Sequence, residues 1–434
     1  MPSRRFFIKL SSLGAVAASA RTLQAQPAPP AAPGGPLPPS IAALTSMRAL
    51  AKPITVDERR SRVEKARRLM ASSGLDGLLL AGGTSLVYFA GVRWWISERF
   101  FGIVVPVKGA PFVVCPAFEE DRAREQLALG PFADAEVRTW HEHEDPYALV
   151  GHGMRDRGIA TGALGIEETT RFVFSDGIAQ AAPGLRLVSG TPVTAGCRGV
   201  KDAHEIELMR LAAQVTITAY EAAWKAVRPG MTQADFGRLV SQAHQQQGFQ
   251  GSAGVQVGEY SALPHGSATP QVLREGTILL IDGGCSVEGY SSDISRTFVV
   301  GKPTDRMKQV FDVTRRAQDA ALAAARPGVP CEAVDAAARR VVDESGFGPG
   351  YKHFTHRLGH GMGMDGHEWP YLVKGNTLPL APGMTFSNEP GVYIRGEFGV
   401  RVEDDMLITE SGAELFTPQS PSLEEPFGRP RTGE

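Results

Sequence analysis

Apolar and polar positions follow two periods along the chain, and the places where one gives way to the other divide it. From Val56 to Ser73, the residues Val63, Ala66, Leu69 and Met70 recur at helical spacing on one face, and Gly74 stands where a C-cap would end the helix. Three short, almost wholly apolar runs follow, Leu75 to Leu80, Phe101 to Pro106 and Phe112 to Cys115. Such runs between helical patterns predict buried strands, and hence an α/β domain that ends near Thr194.

A second pattern starts at Arg198. Asp202-Ala203-His204-Glu205 has the form of a capping box, and the helix it opens should run to about Val227, where Arg228-Pro229-Gly230 stops it. Thr232 then caps a helix to about Gln247. Further on the phrase returns: a helix from Asp305 to Ala325, another Arg-Pro-Gly stop at 326–328, and a new helix near Cys331. Strand-like runs such as Thr277 to Ile281 and Arg296 to Val300 accompany each pair. The repetition suggests a duplicated α+β domain with a cleft between its halves.

Charge and composition narrow the function. With 45 Lys+Arg against 47 Asp+Glu the net charge is -2, so no basic stripe marks a nucleic-acid partner. The four cysteines, Cys115, Cys197, Cys285 and Cys331, stand alone, which excludes a thiolate zinc site or disulfide framework and leaves them as buried small hydrophobes. At the N-terminus, Arg4-Arg5 precede a weak apolar run from Leu10 to Ala20, the form of a twin-arginine export signal over residues 1–26. That run is too short to span a bilayer, and nothing later is long enough, so the expected mature chain has no stable membrane span and is periplasmic or secreted. Residues 27–46 read as a proline-rich linker.

The chemistry gathers in the second half. Asp282 closes the apolar run Thr277 to Ile281, and Gly283, Gly284 and Gly289 suit the turn of a hairpin whose return strand carries Asp293, Ser295 and Thr297. Asp282 and Asp293 are expected to face each other across that hairpin, where two unpaired carboxylates would repel and call for a cation. Pairing of Asp293 with Arg296 or Arg401 is the alternative. Glu389 stands before Pro-Gly at a strand end, Glu403 opens another strand, and between them and the hairpin lies a His-rich stretch with His356, His360 and His367. One imidazole with four carboxylates suits two divalent ions of the manganese, cobalt or zinc kind. Gly361-Met-Gly363-Met-Asp-Gly366 satisfies GxGxxG but lacks a βαβ setting, and His356 with His360 lacks the glutamate of a zincin. No GxSxG is present, so nothing supports a serine hydrolase.

The order Asp282, Asp293, His360, Glu389, Glu403, with these flanking residues, resembles the pita-bread metallopeptidases, the Xaa-Pro aminopeptidase and prolidase family. Val56 to about Thr194 resembles their creatinase-like N-terminal domain, including Trp140-His-Glu-His-Glu-Asp-Pro146 and the junction from Arg198 through Lys201-Asp202. The resemblance implies an α+β fold: a creatinase-like α/β domain over 47–197, a pita-bread catalytic domain over 198–425 and a tail over 426–434. It further implies that Asp282 and Asp293 hold one ion, and that Asp293 and Glu403 bridge to a second, which His360 and Glu389 complete. Manganese comes first, with zinc and cobalt as alternatives. Glu389 is also implied as general base, His367 as the group that steadies the oxyanion, and His265 and His356 as histidines lining the substrate side. Arg401 would orient Asp293, and Tyr393 would stand near the substrate.

The implied activity is hydrolysis of the Xaa-Pro bond, at the N-terminus of peptides or in dipeptides, by metal-activated hydroxide. The alternative is a same-fold metal-dependent hydrolase or lyase on a small non-peptide substrate. A non-catalytic binding protein would need a broken ligand set. Val257-Gly-Glu259-Tyr260-Ser departs from the family's usual run and bears on substrate choice. A homodimer is expected, with Trp94 and Trp95 either at its contact or in the core. His141, His143, His152, His204, His244 and His353 are read as surface or core residues.

Overall fold

The computed structural model describes residues 36–427; the export segment at 1–26, most of the linker and residues 428–434 lie outside them. The N-terminal helix forms as Val56–Ser72, with Thr55 and Glu58 exchanging hydrogen bonds as a capping box. Gly77–Ala81, Gly102–Pro106 and Phe112–Pro116 are strands buried along their full lengths. They sit within a six-stranded mixed sheet, and each face carries its own core, which accounts for runs that are apolar at every position. Leu78, Leu80, Ile103 and Val113 pack on one side, and Leu79, Val104, Phe112 and Val114 on the other.

The following half of the chain is built twice. Ala203–Trp224 and Gln233–Gln246 form the first helix pair, with capping boxes at Asp202 and Thr232; Asp305–Ala324 and Cys331–Val342 form the second. At the first stop, Gly230 N donates to Leu273 O and Leu273 N to Met231 O, at 2.8 and 2.7 Å; at the second, Gly328 N donates to Leu380 O and Leu380 N to Val329 O, at 2.8 and 2.9 Å. Identical pairing of both stops with a later strand-like segment is the mark of a duplicated fold. The first pair accompanies the strands Gly251–Val257, Thr277–Val287 and Ile294–Val300, and the second a five-stranded sheet from Gly359–Gly361 to Ala413–Leu415.

Some local expectations shift. The end of the proline-rich linker is not wholly solvated, because Pro39–Ala42 is a short helix with Ile41 buried and Ser40 Oγ donating to Ala222 O at 2.8 Å. Trp94 and Trp95 divide: Trp94 is buried against Phe101 with ring centroids 3.9 Å apart, while Trp95 is exposed under the Arg122 guanidinium. All four cysteines are free and buried, as expected.

Candidate metal centre

Each half of the duplicated domain delivers part of one cluster. In the hairpin, Asp282 lies opposite Ser295, and Asp293 falls just before the return strand Ile294–Val300. The two aspartates are therefore diagonal neighbours on one face rather than a directly opposed pair. From the other half, His360 sits in the three-residue strand Gly359–Gly361, Glu389 follows Thr385–Asn388, and Glu403 lies between Phe398–Arg401 and Asp404–Ile408. Glu403 N donates to Ser295 O at 3.2 Å, and Thr297 Oγ1 donates to Arg401 O at 2.7 Å, so the two halves are stitched together at the cluster.

Asp282, Asp293 and Glu403 bring ligand atoms within 4.8 Å of one another, as do His360, Glu389 and Glu403, and as do Asp293, His360 and His367. His360 Nδ1 lies 3.1 Å from the Gly361 carbonyl, which can only accept, so Nε2 is the nitrogen turned to the cluster. It stands 3.3 Å from Glu389 Oε1 and 3.8 Å from Asp293 Oδ2. Ser387 Oγ accepts from His360 N at 3.0 Å and donates to Glu389 Oε1 at 3.1 Å, fixing both.

The electrostatics call for cations. Burial, and then the Asp282 charge, push the Asp293 carboxyl up to about 7. Burial followed by the charges of Asp293, Glu389 and Asp282 drives Glu403 well above the usual carboxylate range. Burial works to raise Glu389 too, but its hydrogen bond to His360 and the charges of His360 and Arg401 hold it down at about 2. Ser295 Oγ lies 2.7 Å from Asp282 Oδ1 and 2.5 Å from Glu403 Oε2, and it accepts from Arg401 Nε at 2.8 Å. One hydroxyl proton cannot serve two carboxylates, so without cations a carboxyl here must keep its own proton. Four carboxylates and an imidazole in that state fit two divalent ions.

Arg401 does not pair with Asp293 as expected. Its Nη2 lies 2.7 Å from Asp282 Oδ2, because the strand that carries it runs beside Thr297, and from there the side chain reaches the hairpin strand that carries Asp282. Arg296 is also turned away, buried with Asp404 at 2.6 Å. Arg401 Nη1 donates to Tyr393 Oη at 2.9 Å, and Tyr393 Oη lies 2.8 Å from His356 Nε2. His356 Nδ1 faces the Arg357 carbonyl at 2.7 Å and must donate, so Nε2 accepts from the tyrosine. Burial lowers the His356 pKa, keeping the ring neutral.

His367 stacks on His360 with ring centroids 3.7 Å apart. Its Nδ1 is 3.3 Å from Arg357 Nη2, which can only donate, so Nε2 carries the proton and is free to give it in a hydrogen bond. Burial and the neighbouring His360 lower its pKa. Pro264, His265, His356, Arg357, His360, His367, Arg401 and the four carboxylates line one cleft of about 230 Å³. Tyr393 is buried behind that lining. The sequence alone assigns no role in the site to Ser295, Ser387, Arg357 or the pair Asp335–Arg339, which holds the loop before His360: Asp335 accepts from Leu358 N, and Arg339 donates to Phe354 O and His356 O. Only the adjacency of Ser295 and Arg357 to ligand positions could have marked them.

Fold and cluster together define a hydrolase that works on a carbonyl with metal ions. Residues 207–410 match Metallopeptidase family M24, and residues 62–200 match the Creatinase/Prolidase N-terminal domain. The chain belongs to metallopeptidase family M24, with the creatinase-type N-terminal domain and pita-bread catalytic fold of its relatives. It is 37% identical to a probable dipeptidase PepE of Mycobacterium tuberculosis over 81% of this chain and 92% of that one. It is 31% identical to an Xaa-Pro dipeptidase of Lactobacillus helveticus over 82% of this chain and 96% of that one. The solved dipeptidase PepE of Mycobacterium ulcerans superposes with a TM-score of 0.81 at 33% identity, covering 86% of this chain and 99% of that chain.

Proposed function

We propose that this metallopeptidase is an Xaa-Pro dipeptidase that uses two divalent ions, manganese before zinc or cobalt. The observation that carries the reading is the convergence of Asp282, Asp293, His360, Glu389 and Glu403 in one cleft of about 230 Å³. The relatives named as Xaa-Pro dipeptidases support the same choice. Those five residues would hold the ions, which when bound polarise the scissile carbonyl and lower the pKa of water.

The chain's own groups do the rest. Glu389, ionised at neutral pH, takes a proton from the attacking water and returns it to the proline nitrogen as the C–N bond breaks, so protons balance over the cycle. His367 offers its Nε2 proton to the oxygen on which negative charge develops. His265 and His356 shape the side of the cleft that faces Arg401 and Pro264.

The test is a panel of an Xaa-Pro dipeptide, an Xaa-Pro-Xaa tripeptide and a non-proline tripeptide, each with and without chelator. Chelator-sensitive cleavage confined to the dipeptide is expected, and Glu389→Ala should lower kcat by about 10²–10⁴. Unchanged turnover in that variant would overturn the mechanism, and equal cleavage of the Xaa-Pro tripeptide would make the enzyme an aminopeptidase.

A further inference from the structure

Beneath the hairpin that carries Asp282 and Asp293 lies a line of polar groups with no place in the chemistry above. His244, on the helix Gln233–Gln246, is fully buried, and Thr216, on Ala203–Trp224, is fully buried too. His244 Nδ1 lies 2.9 Å from Val240 O, His244 Nε2 lies 3.3 Å from Thr216 Oγ1, and Thr216 Oγ1 lies 2.9 Å from Ser292 Oγ. Ser292 Oγ in turn accepts from Cys285 N at 3.3 Å, inside the same hairpin.

The protons at the His244 end of this line have one direction. The Val240 carbonyl can only accept, so Nδ1 donates; burial lowers the pKa of the ring, so it is neutral and Nε2 accepts. Thr216 must then donate to Nε2, which leaves its oxygen to accept from Ser292 at 2.9 Å; the other acceptor within reach of the Ser292 hydroxyl, Cys285 O, lies farther off at 3.5 Å. The strand packs closely on the ring at Gly251, where an added Cβ would lie only 2.3 Å from it. Leucine and valine would fill the same space without desolvating an imidazole and two hydroxyls, so a fully satisfied polar line in a core selects geometry rather than stability.

What it fixes is Asp293. Ser292 is the residue immediately before it, and the Asp293 amide donates to Asp405 Oδ1 at 3.2 Å, so the backbone of Asp293 is clamped from both sides. Asp293 also belongs to two of the three candidate ligand groups among the described residues, so its displacement would weaken both as places to hold an ion. We propose that His244, Thr216 and Ser292 are positioning residues for Asp293, linking two helices to the hairpin through one hydrogen-bond chain. The proposal rests on the reading of Asp293 as a metal ligand.

The experiment is a Co2+ titration of the full chain after chelator stripping, followed by the visible spectrum of the bound ion, for wild type, Thr216→Val and Thr216→Ser. Valine keeps the shape and breaks the chain; serine keeps the hydroxyl. Thr216→Val should bind Co2+ about 10–100-fold more weakly with an altered spectrum, while Thr216→Ser restores both. At saturating metal, kcat should fall in the valine variant with KM unchanged. Wild-type affinity and spectrum in Thr216→Val would overturn the proposal. Should that variant not fold, Ser292→Ala at the other end of the chain carries the same expectation and the same power to refute. A wild-type chain that binds no Co2+ would overturn the metal centre itself, a different failure with a different signature.

Discussion

Asp293 shows how a single carboxyl couples protons to ions. In the unfolded chain it titrates near its ordinary value of 3.8, and in the folded, ion-free centre at about 7. Between those values the folded state holds the extra proton, so this group takes stability away from the ion-free protein as pH rises from about 4 to about 7. Glu389, held at about 2, works the other way: its contribution is fully present above its ordinary value of 4.5 and is lost progressively as pH falls from there through about 2. An ion must displace the Asp293 proton, which costs roughly tenfold in affinity for each pH unit below about 7. Mn2+ should therefore raise the melting temperature strongly at pH 8 and far less at pH 5, measured by calorimetry with and without chelator. Equal shifts at the two pH values would show that Asp293 gives up no proton to the ion.

At the scale of single elements, the strand Gly359–Gly361 shows why the glycines around His360 are not a dinucleotide loop. A Cβ on Gly359 would lie 2.0 Å from Ser387 O, and one on Gly361 would lie 2.5 Å from Trp369 O. The backbones on either side must close that far for His360 to reach the carboxylates. Gly359→Ala should cost about 1–3 kcal/mol by overpacking and weaken Co2+ binding as the strand moves, read by denaturant melts and by titration. A variant with unchanged stability and affinity would show that the strand has room to spare. Helices were legible where their causes are local: the capping box at Asp202, the cap at Thr232 and the Gly74 stop are short-range, and the helices follow them. The four carboxylates and a histidine partner stood out from the residues themselves, while the choice of His360 and the sharing of ligands between two ions came from the resemblance to a family. What could not be read was the pairing set by distant chain. Arg401 holds Asp282 rather than Asp293, and Ser295 occupies the place opposite Asp282, because register and strand crossing depend on segments more remote than any motif spans. Trp94 and Trp95 were undecided for the same reason, since one step along the chain separates the core from solvent.

Across the whole molecule, the N-terminal sheet region and the catalytic region are joined by buried charge placed beside the catalytic loop. Glu368 follows His367 directly and is buried, with Arg198 Nη2 paired to its Oε1 and Lys201 Nζ 3.3 Å from its Oε2. Arg198 also holds Asp365 at 2.6 Å, and Thr84, from the N-terminal region, bonds the same carboxylate. Burial opposes ionisation of Glu368, yet Lys201 and Arg198 keep its carboxyl below the usual range, so the junction is a set of paired charges rather than a protonated acid. Paired charges taken out of water add little net stability, but removing one partner strands the others. Glu368→Gln keeps the volume and removes the charge, leaving the buried Lys201 ammonium with no carboxylate partner among the described residues. The expected loss is about 3–5 kcal/mol in denaturant unfolding. It should come with a fall in kcat, because the loop that presents His367 is anchored by its neighbour. A change within about 0.5 kcal/mol would mean that the two regions merely lie against each other. A large loss with kcat intact would mean that the junction holds the molecule together without setting the position of His367.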